Sequence, residues 1–138
     1  MKKTTKITIT LLLVLAMLVP ATVGALAASS QKVQPRWASI ATIELNMTFD
    51  GDEGNATGGT RKQSTATNIE GTLTVYKLVG NSWVFVADGY AQKVVGTVVV
   101  IVDFYAESGV TYKAEFEVTA YTGSAAETET VETIKTCP

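Results

Sequence analysis

The chain has 138 residues, with 11 basic and 13 acidic side chains, one cysteine and no histidine. Without histidine there is no Ser-His-Asp or Cys-His nucleophilic system and no His-containing zinc site, and one thiol cannot form an internal disulfide. The mildly acidic balance has no basic cluster, which excludes the phosphate neutralisation behind nucleic-acid binding and argues equally against anionic membranes.

At the N-terminus, Lys2, Lys3 and Lys6 precede an apolar run from Ile7 to Val19, then Pro20 and the small-residue site Ala25-Leu26-Ala27. This order predicts a secretory signal peptide over 1–27, cut before Ala28, and hence a secreted, extracellular protein. The apolar run is shorter than the roughly 20 residues that span a bilayer. No later segment reaches that length, so membrane insertion after cleavage is not expected. Removing 27 of the 138 residues leaves 111, the size of one domain. Removing three lysines leaves 8 basic against 13 acidic groups, a net charge of −5. Residues 28–35 are polar and end in proline, which reads as a flexible leader to a domain over 36–136.

Within the domain the apolar residues alternate. In "TIELNMTF" Ile43, Leu45, Met47 and Phe49 share one face, with Glu44 and Asn46 on the other. Ile69, Gly71, Leu73 and Val75 form a second such row, and Gly71 leaves room there for a neighbouring backbone. In "YKAEFEVTAY" Tyr112, Ala114, Phe116, Val118 and Ala120 point in, whereas Lys113, Glu115, Glu117, Thr119 and Tyr121 point out. Period-2 patterns separated by Gly, Asn, Asp and Ser predict strands and no helix. Seven are expected, at 39–49, 55–66, 69–79, 83–88, 94–105, 111–122 and 126–135. They make an all-β, immunoglobulin-like antiparallel sandwich.

The stretch Asp50-Gly51-Asp52-Glu53-Gly54-Asn55 has the look of a calcium loop. Its fifth and sixth places hold Gly54 and Asn55 in the wrong order for an EF-hand, and the twelfth place holds Arg61 instead of glutamate. It therefore reads as a hairpin turn, with Asp50 and Asp52 left as a weak candidate metal contact. No other cofactor is implied. A hydrolase working with two carboxylates alone would draw on Glu44, Glu70, Asp103, Glu115 and Glu117, of which Glu44, Glu115 and Glu117 fall on expected solvent faces.

The run "VVGTVVVIVDF" is apolar on both faces. If Val98, Val100, Val102 and Phe104 fill the core, Val99 and Ile101 project outward. Two readings are open: an interaction patch for a partner or a second copy, or a surface covered by a loop or the leader. Trp83, with Phe85 and Val86 behind it, is expected in the core, and Trp37 at one end of the sandwich. Trp37, Tyr76, Tyr105 and Tyr121 are candidate glycan-facing rings. Cys137 lies on a terminus expected to fray, which makes it a candidate intermolecular thiol.

The order of "RWASI", "TLTVYKLVGNSW" and "ESGVTYKAEFEVTAYTGS" resembles the small uncharacterised secreted β-sandwich proteins of Gram-positive bacteria over Pro35 to Lys135. That group shows an Arg-aromatic pair near the mature start and a G-x-Y strand. This chain departs from it at Ala114 and Phe116, where valines are usual, and in the valines of 98–102, where small polar residues often alternate. The resemblance implies an immunoglobulin-like sandwich and secretion, and no site residues. The expected function is a noncatalytic binding or surface-interaction module for a protein or glycan, with self-association through Val99 as one mode. The alternatives are a secreted effector or bacteriocin-like protein and, third, a carboxylate-only glycan hydrolase.

Overall fold

The computed structural model describes residues 37–138, so the expected signal peptide, the leader and Arg36 lie outside the described residues. Seven strands follow in chain order: β1 (Ile40–Asp50), β2 (Glu53–Lys62), β3 (Asn68–Val79), β4 (Ser82–Lys93), β5 (Thr97–Tyr105), β6 (Thr111–Thr122) and β7 (Ala125–Thr136). They form two antiparallel sheets with strand orders β1-β2-β5 and β4-β3-β6-β7. The architecture is the expected immunoglobulin-like sandwich. Relative to the constant-domain arrangement, the fourth strand pairs with the third and not with the fifth.

Hairpin turns set the registers. Asp50 pairs with Glu53, Val79 with Ser82 and Thr122 with Ala125, so each connection is two residues long and begins with a glycine of positive φ: Gly51, Gly80 and Gly123. Glycine first is the type II′ signature, whose twist matches that of the strands it joins. The calcium-like stretch is thus a turn, but a shorter one than expected. Only Gly51 and Asp52 turn, and β2 begins at Glu53 where the spacing had suggested Asn55. At its other end β2 stops at Lys62, where the chain crosses to the second sheet. The Lys62 ammonium donates to the Ala66 carbonyl there, at 2.5 Å.

β4 differs most from expectation. The strand expected to stop at Asp88 runs on through Gly89 to Lys93. The reason is tertiary. Gly89 lies against β5, where a Cβ would come within 2.9 Å of Val100 and 3.0 Å of Val102. The absent side chain serves the close approach of the two sheets, which local turn chemistry cannot reveal. β5 correspondingly starts at Thr97, and Val94 and Val95 belong to an exposed connection.

The core contains the predicted inward rows: Met47, Ile69, Leu73, Val75, Val98, Val100, Val102, Tyr112, Phe116 and Val118 are buried. Phe116 is its centre. Its ring is flanked by Gly58 from one sheet and Gly71 from the other, where added Cβ atoms would lie 2.6 and 2.7 Å from it. Gly71 therefore admits a ring, not the backbone suggested by its sequence. At one end Phe49, Phe104 and Tyr112 pack with centroids 5.2–6.2 Å apart. The Tyr112 hydroxyl accepts the Glu107 backbone N–H at 2.9 Å, the tyrosine-corner bond of immunoglobulin-like domains, near the start of the sixth strand.

Cys137 corrects the expected frayed terminus. It is 1% exposed, its backbone N–H donates to Val110, its carbonyl accepts from Gly109, and its thiol lies 3.7 Å from the Gly51 carbonyl. A sulfur sealed against the β1–β2 turn cannot meet another chain while the terminus stays paired. The start of the described chain is tied down as well: the Glu127 carboxylate accepts from the backbone N–H groups of Ala38 and Ser39, at 3.0 and 2.6 Å.

Candidate binding face

Alternation along β5 gives one face of the three-stranded sheet its character. Val98, Val100, Val102 and Phe104 are buried, so Thr97, Val99, Ile101, Asp103 and Tyr105 project outward. Val99 is 51% exposed, Ile101 60% and Tyr105 68%. Strand pairing places the neighbours in rows. Val99 lies beside Gly59 and Glu44, Ile101 beside Thr57 and Asn46, Asp103 beside Asn55 and Thr48, and Tyr105 beside Glu53 and Asp50.

Two concavities open on this face. A cleft of about 1040 Å³ lies at the β1–β2 turn, with Phe49, Phe104 and Gly54 among its lining and Asp50, Asp52, Glu53, Asn55, Asp103 and Tyr105 around it. Gly54 is required in β2 because a Cβ would overlap the buried Phe104 ring. The Asn55 side-chain amide donates to Asp103 at 2.7 Å, and the Thr57 hydroxyl donates to the Asn55 side-chain oxygen Oδ1 at 3.0 Å. This chain of bonds sets the Asn55–Asp103 pair in one orientation. A second groove, about 660 Å³, runs over Gly59 between Glu44, Arg61 and Val99. A smaller hollow of about 430 Å³ continues from Tyr105 toward Phe85 and Lys77, where Lys77 pairs with Glu107 at 2.8 Å. The hydrogen bond and charge of Glu107 raise the Lys77 pKa above its ordinary value.

The expected residues distribute unevenly. Val99, Ile101 and Tyr105 share the face just described. Asp50 and Asp52 border its cleft, the Asp52 carbonyl accepting the Ala106 N–H at 2.8 Å. Among the described residues no three His, Cys, Asp or Glu side chains converge as a metal site would need. The other rings lie elsewhere. Tyr76 and Tyr121 are on the outer face of the four-stranded sheet, separated by eight positions along β3 since Tyr121 pairs with Asn68, a span of roughly 27 Å. Trp37 packs against the core, with its indole nitrogen buried and unpartnered. The four aromatics therefore do not form one surface.

Trp83 is also displaced from expectation: it is 36% exposed on edge strand β4, beside Leu78. An outward residue on an edge strand has no second layer to cover it. It packs instead with Lys113, whose ammonium lies 5.0 Å from both the Trp83 and Tyr76 ring centres and pairs with Glu115. That hydrogen bond raises the Lys113 pKa, against the opposing effect of desolvation. At the far end of the same sheet Glu70 accepts from Tyr121 at 2.6 Å and Tyr90 at 2.9 Å. Those bonds push both phenols above their ordinary pKa, with desolvation acting in the same direction.

The candidate hydrolytic carboxylates are divided between the two outer faces. Glu44 and Asp103 lie on the three-stranded sheet, Glu70, Glu115 and Glu117 on the four-stranded one. Sequence reading missed Asn55 beside the cleft. The Asn55–Asp103 pair depends on a strand register that spans 48 residues, and no local pattern signals it.

No family model and no curated protein matches the chain. Among solved structures it is similar to the crystal structure of Parabacteroides merdae beta-glucuronidase, with a TM-score of 0.43 and 17% identity over 72% of this chain. The chain spans 14% of that protein's length.

Proposed function

We propose that the chain is a noncatalytic binding module that works outside the cell, with the outer face of the β1-β2-β5 sheet as its contact surface. The N-terminal pattern of Lys2, Lys3, Lys6 and the apolar run to Val19 supports secretion, as does the resemblance to secreted Gram-positive sandwich proteins. The observation that carries the binding reading is the row of Val99, Ile101 and Tyr105, each more than half exposed on one strand. The ligand class favoured for the cleft is a glycan. The exposed Tyr105 ring offers an apolar face for a sugar ring, and the adjacent amide, carboxylates and backbone offer hydroxyl partners.

Native gels cast with and without soluble polysaccharides test this reading. The wild-type chain is expected to be retarded by at least one polysaccharide, and Tyr105→Ala to run as in the plain gel with an unchanged melting temperature. Equal retardation of the two proteins would remove the cleft from the binding reading.

A further inference from the structure

Gly59 is a glycine that nothing within the described residues requires. Gly51, Gly80, Gly96, Gly109 and Gly123 have positive φ, and at Gly54, Gly58, Gly71 and Gly89 a Cβ would strike a core side chain. At Gly59 φ is not in the positive region, and a Cβ would meet nothing nearer than the Glu44 Cβ at 4.0 Å. A strand glycine weakens its strand and often marks the close approach of another backbone. Gly59 faces the 660 Å³ groove, with Glu44 on one side, Val99 on the other and Arg61 farther along β2.

We propose that this groove seats a second copy of the chain, packed face to face across a two-fold axis. Gly59 lies against Gly59 of the second copy, Val99 and Ile101 meet their equivalents, and Glu44 pairs with the opposing Arg61 twice. Glu44 sits directly across from Gly59 on β1, and Arg61 is two residues along on β2. With strands about 4.8 Å apart and about 3.4 Å per residue, the midpoint between Glu44 and Arg61 falls roughly 4 Å from Gly59. An in-plane two-fold through that midpoint, exchanging the two charges, brings Gly59 nearly onto its own image and the apolar pair onto itself. It also brings Asn46 near Thr97. The strands of the two copies then cross steeply, as in orthogonal sheet packing, leaving the Tyr105 cleft outside the contact.

A two-fold interface must be self-complementary, and one acid with one base beside an apolar patch meets that condition. Neither Glu44 nor Arg61 has an ion-pair partner among the described residues. The opposite outer face fits it less well, because Glu70, Glu115, Glu117 and Glu132 stand against the single base Lys113, which already pairs with Glu115. Because the strands cross steeply, the two faces overlap over about one sheet width, roughly 14 Å in each direction, well short of the ~800 Å² per partner of a standard interface. The dimer is therefore weak and populated only toward the top of a concentration series.

This inference goes beyond the glycan reading and is tested apart from it. Sedimentation equilibrium across a concentration series compares wild type with Glu44→Lys, Arg61→Glu and the double reversal, all checked by circular dichroism melts for an intact fold. Wild type is expected to dimerise, each single reversal to weaken the dimer by about tenfold or more, and the double reversal to recover it. A second probe, Val99→Thr with Ile101→Thr, should weaken dimerisation without lowering the melting temperature. A wild-type chain monomeric at every concentration overturns the proposal, whether the groove is then empty or covered by another part of the same chain. So does a dimer indifferent to single reversal, or one not regained by the double. Gel retardation through Tyr105 depends on none of these residues, so either reading can fail alone.

Discussion

Gly58 and Gly59 are neighbours in one strand and make opposite predictions for the same substitution. On Gly58 a Cβ would lie 2.6 Å from the Phe116 ring, and the ring cannot retreat because the Gly71 backbone closes its other side, with a built Cβ there 2.7 Å away. Gly58→Ala therefore forces a shift of the two sheets or a strained rotamer at the centre of the core, at a cost of about 1–3 kcal/mol. On Gly59 the methyl enters open space at an ordinary φ. Gly59→Ala should gain about 0.5–1 kcal/mol, chiefly by narrowing the freedom of the unfolded chain. A gap of about 3 kcal/mol between the variants corresponds to roughly 12–24 °C in melting temperature for a domain of this size. Thermal melts by far-UV circular dichroism, at concentrations low enough to keep the protein monomeric, measure it directly. If Gly58→Ala melts with the wild type, or Gly59→Ala falls as far as Gly58→Ala, then Phe116 is not clamped between the sheets and the register placing Gly58 over it is wrong.

Two further outcomes follow from named contacts. Glu70 accepts from Tyr121 and, sharing the proton with Gln92, from Tyr90, so both folded-state pKa values lie above the unfolded value of about 10. The folded state then binds more protons in the window above pH 10. The stabilisation is complete below that value and is lost as pH rises through the folded pKa. Spectrophotometric titration should show two tyrosines ionising late in the wild type, and Glu70→Gln should shift them earlier; unchanged curves would contradict the bonds. Cys137, buried against Gly51, should react with a thiol reagent only as fast as the C-terminal segment opens, and at the rate of a free thiol in denaturant. Labelling of the native protein at the free-thiol rate would mean that this segment is not docked.

Alternation was legible wherever a strand has one wet and one dry face: β1, β3, β5 and β6 carry the burial patterns their sequences predict, because side-chain direction on a strand is a local property. The places of the hairpin turns were legible for the same reason, since Gly-Asp, Gly-Asn and Gly-Ser bring their own backbone preference; their length was not, since the turn at Gly51 is shorter than its sequence suggests, and Asp88-Gly89, with a similar signal, lies inside β4. Exposure at edges was not. Trp83 looked like a core residue, yet β4 borders its sheet and offers the indole nothing to lie beneath. Cys137 looked free because nothing local shows that the last residues pair with Gly109 and Val110.

By itself the amino-acid order determined an all-β sandwich, a predicted export signal, a catalytic repertoire without histidine, and a β5 strand with Val99 and Ile101 turned outward. Only the tertiary structure decided which glycines are occupied by neighbours and which stand open. It alone also decided that Asp103 meets Asn55, and that Tyr105, not Trp37, Tyr76 or Tyr121, borders the cleft with its ring exposed. The physical reason is that the face a residue takes depends on its immediate neighbours, whereas what covers that face depends on segments tens of residues away, brought there by sheet order and register.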